Sequence, residues 1–173
     1  MAGLERITAQ FLAADLALPM LLTAAAAYLC GCFNGAVIVS KYILRNDIRN
    51  HGSGNAGLTN FYRVFGGGLT FAVIFTDVLK AVAAVWVGLL VVRHWGGGLL
   101  AQEPMMIPYA KYWTGLFCLL GHMFPFVFRF RGGKGILSGG ALALMIDWRV
   151  ALVAWGGFLI LAILTRWVSL GSI

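Results

Sequence analysis

Apolar residues are concentrated in five runs along the chain, at residues 16–43, 69–92, 112–128, 136–146 and 150–164, separated by short polar or basic stretches. A helix needs about 20 apolar residues to cross a bilayer, so runs of this kind predict membrane spans. The two shortest cross if they tilt, recruit flanking glycines or pack inside protein. Apolar character resumes at Val168-Ser169-Leu170-Gly171-Ser172-Ile173, where a sixth span is expected to start. Residues 1–15 read as a short amphipathic leader, and the first apolar run exceeds the apolar core of a cleaved signal peptide. The expected fold is an all-α, polytopic transmembrane helix bundle, forming one integral membrane domain over residues 1–173.

Two glycine-rich polar islands interrupt this pattern: Gly52-Ser53-Gly54-Asn55-Ala56-Gly57-Leu58-Thr59-Asn60 and Arg131-Gly132-Gly133-Lys134-Gly135. Lipid-facing helices have no use for such segments, which makes the islands the candidates for chemistry. Composition agrees with the membrane reading: 61% of residues are hydrophobic and 11% charged, and the mean hydropathy is +0.88, which excludes an ordinary soluble domain. Cys30, Cys32 and Cys118 lie inside apolar runs without metal-ligand spacing and read as small buried hydrophobes.

If each run crosses once, the linkers alternate sides and the basic residues can be counted on each. One side holds eight (Lys41, Arg45, Arg49, Arg63, Arg129, Arg131, Lys134, Arg166) and the other four (Arg6, Arg93, Lys111, Arg149); with Lys80 inside the second run these make up the 13 of the chain. The positive-inside rule then places the first set in the cytoplasm and the N-terminus outside. Both islands fall on that cytoplasmic face, where they can converge on one site.

In the first island, glycines allow positive φ and let backbone N–H groups turn toward one anion, while Ser53, Asn55, Thr59 and Asn60 add hydrogen-bonding side chains. Arg63 follows one helical turn later and can clamp a phosphate. A polar interhelical turn would satisfy the same composition. The second island carries Arg129, Arg131 and Lys134 among Gly132, Gly133 and Gly135. It lacks the Ser or Thr and the upstream glycine of a nucleotide-hydrolysing P-loop, so it reads either as an anion site or as charge flanking a span. His122, in Gly121-His122-Met123-Phe124-Pro125, can serve as a general base, as a hydrogen-bond donor or as a structural residue, with no carboxylate within a turn to orient it.

Asp77 and Lys80 share a helix face inside the second run, where charges are costly; a packing pair and a site role are equally compatible with that position. Gly31 and Gly35 form a G-x-x-x-G that suits close helix packing. The chain carries no nucleophile elbow and no carboxylate cluster for divalent metals, so no metal or cofactor is expected. Positioning and positive charge suit a substrate that arrives activated, with phosphate as the leaving group and a hydroxyl as the attacker.

The ordered motifs Asp47-Ile48-Arg49-Asn50-His51 leading into the first island, Asp77-Val78-Leu79-Lys80, Gly121-His122-Met123-Phe124-Pro125 leading into the second island, and Thr165-Arg166-Trp167-Val168-Ser169-Leu170 resemble the bacterial acyl-phosphate-dependent glycerol-3-phosphate acyltransferase family. The resemblance implies a multi-pass enzyme of the inner membrane, its site facing the cytoplasm. Such an enzyme moves an acyl chain from acyl phosphate to the 1-position of glycerol 3-phosphate in phospholipid synthesis, giving lysophosphatidic acid and phosphate. It uses neither acyl-CoA nor acyl carrier protein as donor and has no nucleic-acid partner. Carried onto this chain, the resemblance makes His122, Ser53 and Lys134 the catalytic candidates. Gly52, Gly54, Asn55, Gly57, Thr59, Asn60, Arg63, Gly132, Gly133, Gly135 and Ser169 are the substrate-binding ones, and the acyl chain lies between spans.

The chain departs from the family pattern at Gly31-Cys32-Phe33-Asn34-Gly35, where the family has a serine and a proline, and at Ile136-Leu137-Ser138. The family continues past Ser169 to a polar, basic third motif, with seven spans in the complete fold, so this chain is expected to be C-terminally truncated. A small transporter or channel for a phosphorylated metabolite is the alternative reading; it predicts internal repeats and polar residues at all depths. A non-catalytic membrane scaffold is the third, for the case in which the truncation is natural.

Overall fold

The computed structural model describes residues 14–95 and 105–166, and among them every regular element is helical. The leader, the start of a sixth span and Ser169 lie outside these residues. Helices α1 (Ala14–Cys32), α2 (Gly35–Ile38, running on as a π-turn over Val39–Ile43), α3 (Leu58–Phe65), α4 (Leu69–Trp95), α5 (Met106–Met123), α6 (Ile136–Ile146) and α7 (Trp148–Thr165) follow in order. Single 3-10 turns at Ile48–Asn50 and Phe126–Phe128 precede the two islands. Helices α1, α4 and α5 pack on one another, α6 lies against α4, and α7 folds back on α6.

The single first span expected over residues 16–43 is instead a broken one, bent by 40° between Ala17–Cys32 and Gly35–Ile43. Asn34 causes the break. Its side-chain oxygen accepts from the Val37 N–H at 3.0 Å, replacing the helical partner and starting α2 anew. The third apolar run also differs, forming a helix over Met106–Met123 where residues 112–128 were expected, because Pro125 cannot continue the helix and its backbone is extended. The short run has the expected bounds, Ile136–Ile146. Eleven residues rise only about 16 Å, roughly half the hydrocarbon thickness, and Asp147 then caps α7 directly. Leu69–His94 and Trp148–Thr165 are each long and apolar enough to cross alone, and the bent pair passes as a third candidate.

Between these helices the core is made of small residues, Ala27, Ala81, Ala84, Val85 and Cys118 with Leu142, as expected where lipid supplies no hydrophobic drive and backbones must approach closely. The G-x-x-x-G of the first span serves that approach. A Cβ on Gly31 would sit inside the Cys118 carbonyl of α5, and one on Gly35 inside the Thr76 hydroxyl of α4. A second core of Val37, Val39, Ile48, Phe61, Val73 and Phe128 lies at the end of the bundle that carries the islands. At the opposite end, Lys111 donates to the Met145 carbonyl at 2.8 Å, closing the C-terminus of α6. Helix α6 therefore runs from the second island to the level of Lys111 on α5. Large apolar side chains such as Val153, Ile163 and Leu164 on α7 point outward, as a lipid-facing surface requires.

Candidate active site

The first island is shaped by one side chain. Asn60, buried on α3, accepts from the Ser53 N–H through Oδ1 and donates through Nδ2 to the His51 and Asn55 carbonyls, each at 3.0 Å. These three bonds fold the loop back over the start of α3. Gly52 and Gly54 take the positive φ values, +57° and +71°, that this reversal needs.

The two islands then join through their backbones. The Ala56 N–H donates to the Gly132 carbonyl at 3.3 Å, and the Ala56 carbonyl accepts from Asn34 Nδ2 at 3.0 Å. Gly132 and Gly133 in turn donate to the Met123 and His122 carbonyls, at 3.1 and 3.2 Å, and so satisfy the C-terminal end of α5. At Gly133 no side chain fits, because a Cβ would press on both His122 Nε2 and the Ala56 carbonyl. The convergence expected from counting charges is thus a direct contact.

Arg49 clamps the same joint from outside. It forms a two-pronged ion pair with Asp47 (Nη2 to Oδ2 2.6 Å, Nε to Oδ1 2.9 Å), donates to the Phe128 carbonyl at 2.7 Å and lies over the Phe128 ring. The hydrogen bond from Arg49 holds the Asp47 carboxyl below its usual range, burial opposing it. A depressed carboxyl pKa adds stability above the unfolded-state value and loses it as pH falls through the folded one. Arg49→Met is expected to cost about 1.5–3 kcal/mol of thermal stability at neutral pH, the worth of a charged hydrogen-bond donor. Melts of the detergent-purified variant should show the difference from the parent shrinking on acidification below the usual carboxylate range; a constant difference would count against the clamp.

A cavity of about 410 Å³ opens beside this joint, lined by Asn55, Gly57, Leu58 and Thr59 of the first island, Lys134 and Gly135 of the second, and Asp77 and His122. Its polar end receives two helix N-termini. Gly57 starts α3 and Gly135, at φ +76°, starts α6; neither helix has a side-chain cap. Two sets of first-turn N–H groups, the positive ends of two helix dipoles and the Lys134 ammonium thus converge on one space, a setting suited to an anion. The Asp77 carboxylate does not offset this, because Lys80 binds it at 2.6 Å. The other wall is apolar. Trp155, Phe158, Leu159 and Ala162 form an i, i+3, i+4, i+7 stripe on α7, with the Trp155 indole resting on Gly140 of α6. The cavity is amphipathic, with a cationic floor and an oily side.

Of the candidates named from sequence, Asn55, Gly57, Thr59, His122, Lys134 and Gly135 line this cavity. Gly132 and Gly133 build its floor from behind, and Asn60 holds the loop, with both ends of its amide engaged there. Gly52, Gly54, Ser53 and Arg63 lie outside the lining; Ser53 is exposed and its N–H is taken by Asn60, while Arg63 is exposed one turn beyond Thr59 on α3. Sequence reasoning left Asp77 undecided and did not single out the α7 stripe. The signals were the intramembrane charge of the first and the helical spacing of the second.

Known proteins resemble this chain over most of its length. A family profile described as glycerol-3-phosphate acyltransferase matches residues 21–173. A glycerol-3-phosphate acyltransferase of Thermoanaerobacter pseudethanolicus is 40% identical over 152 residues, 88% of this chain and 70% of that protein. One of Pseudomonas putida is 36% identical over 152 residues, 88% of this chain and 74% of that protein. The crystal structure of PlsY (YgiH), an integral membrane glycerol 3-phosphate acyltransferase, in its glycerol 3-phosphate form, superposes with a TM-score of 0.70 at 30% identity, covering 88% of this chain and 70% of that one. Its lysophosphatidic acid form gives 0.67 at 29% identity, covering 88% and 69%.

Proposed function

Because the chain belongs to the glycerol-3-phosphate acyltransferase family, we propose that its amphipathic cavity brings together acyl phosphate, as the donor, and glycerol 3-phosphate, as the acceptor. It is an all-helical membrane protein and an acyltransferase of glycerol 3-phosphate. The observation that carries the choice of donor is the juxtaposition of two uncapped helix N-termini and Lys134 with the apolar α7 stripe. An acyl phosphate is an anion joined to an oily chain, and each half meets its complement.

In the proposed reaction the 1-hydroxyl oxygen of glycerol 3-phosphate attacks the acyl carbonyl carbon and the new ester bond forms. The bond from that carbon to the phosphate oxygen breaks, phosphate leaves with the bonding pair, and the hydroxyl proton passes to a phosphate oxygen. The products are lysophosphatidic acid and inorganic phosphate. Charge builds on the departing phosphate and the carbonyl oxygen, where N–H groups and Lys134 can stabilise it without reorganising. No protein base is required, in keeping with the absence of a recognisable nucleophile and base pair in the sequence. Eight basic residues on the island side against four on the other support a site facing the cytoplasm in the cell membrane, with the N-terminus outside.

The purified chain in lipid, given palmitoyl phosphate and glycerol 3-phosphate, is expected to release phosphate in proportion to lysophosphatidic acid formed. Release that ignores glycerol 3-phosphate, or an equal rate with palmitoyl-CoA, would overturn the choice of donor.

A further inference from the structure

His122 meets its neighbours through two different ring nitrogens, and the neighbours decide which one carries the proton. Nδ1 faces the Lys80 side chain at 2.5 Å, and Asp77 Oδ1 lies 3.9 Å from the same nitrogen, beyond hydrogen-bond reach. Lys80 Nζ has two further partners, Asp77 Oδ1 at 2.6 Å and the Phe33 carbonyl at 2.9 Å. A carboxylate and a carbonyl can only accept, and an ammonium has three N–H groups and no lone pair. Two of those N–H groups are therefore spent on Asp77 and Phe33, and the third points at Nδ1, which must accept it.

The break in the first span makes this arrangement possible. In a continuous helix the Phe33 carbonyl would receive the Val37 N–H, but Asn34 Oδ1 takes that N–H and leaves the carbonyl to Lys80. Side-chain exposures of 4% for Lys80, 3% for Asp77 and 2% for His122 keep all three away from bulk solvent. The His122 backbone is held as well, since its carbonyl accepts from Gly133 N–H. The Nε2 edge of the ring faces Gly133 and the cavity.

We propose that Lys80, itself anchored by Asp77 and the Phe33 carbonyl, is a positioning residue that fixes His122 as the Nε2–H tautomer, so that His122 offers the cavity a hydrogen-bond donor and not a base. A neutral imidazole that accepts at Nδ1 has no lone pair left at Nε2. His122 thus joins Lys134 and the helix N-termini as a donor to anionic oxygen. Its service in acyl transfer rests on the acyl-phosphate reading above; the tautomer does not.

The test begins with nitrogen-15 NMR of the histidine-labelled chain in lipid nanodiscs, which separates proton-bearing from bare ring nitrogens. The chain has three histidines, and His122→Gln identifies the signal that matters. The expected wild-type result is a protonated Nε2 and a bare Nδ1, and the Asp77→Asn, Lys80→Met pair should abolish that preference. Activity provides a second arm: His122→Gln, whose amide N–H reaches the Nε2 position, should stay within about tenfold of wild type. His122→Asn should lose about 10²–10³-fold, as when one anion-stabilising donor is removed. A ring protonated at Nδ1, or a tautomer unmoved in the paired variant, overturns the assignment even if acyl transfer proceeds as proposed. Equal loss in His122→Gln and His122→Asn overturns the donor role. Failure of acyl-phosphate dependence with the Nε2–H tautomer intact would instead sink the reaction and leave the assignment standing.

Discussion

Lys134→Ala is expected to lower kcat/KM for phosphate release from acyl phosphate by about 10²–10³-fold, the effect of removing one positioned charge from a developing oxyanion. That corresponds to roughly 3–4 kcal/mol of transition-state stabilisation. Lys134 sits on the cavity wall beside Gly135, the residue that starts α6. Its side chain is exposed, and the glycine that shapes the helix start is untouched by the change. Most exposed substitutions shift stability by about 0.5 kcal/mol or less, and the melt is expected to move far less than the rate. The pairing of a large kinetic loss with an unaltered melt distinguishes an anion-binding role from a structural one. Lys134→Arg keeps the charge but spreads it over a planar fork in place of a compact ammonium, so partial recovery is expected. A rate for Lys134→Ala within threefold of the parent would remove Lys134 from the site.

Asn60→Leu should be nearly as severe for activity, and by a different route. The change keeps the branched shape of a buried side chain but deletes three hydrogen bonds at once, to Ser53 N–H and to the His51 and Asn55 carbonyls. The three bonds are only partly buried, so each is worth about 0.5–1.5 kcal/mol, and a loss on the order of 2–4 kcal/mol is expected. Asn55 and Gly57, which line the cavity, lie on the loop those bonds hold. Both the melting temperature and the rate should fall, with KM for glycerol 3-phosphate and kcat changing together. A stable variant with full activity would show that the loop is held by other means.

The contrast between these residues shows what could be read without a structure. Lys134 and Asn60 have equal standing in the sequence, as polar members of two glycine-rich islands. One faces the cavity and the other is turned into the loop, and nothing in their spacing says which. Asn34 is a similar case. Its roles in breaking the first span and holding Ala56 emerge only from contacts 3 and 22 residues away.

Sequence by itself determined the membrane helix bundle, the positions of the apolar runs and the placement of both islands at one end. Those properties follow from run length, charge asymmetry and residue inventory, which are written along one dimension. Tertiary structure alone decided the break at Asn34, the α7 stripe as a cavity wall and the joining of His122 to the Asp77–Lys80 pair. Lys80 meets Phe33 across 47 residues and His122 across 42. The partners of a buried polar group are chosen by how helices pack, and in a small-residue core that packing depends on which backbones can approach, at Gly31, Gly35 and Gly133 here.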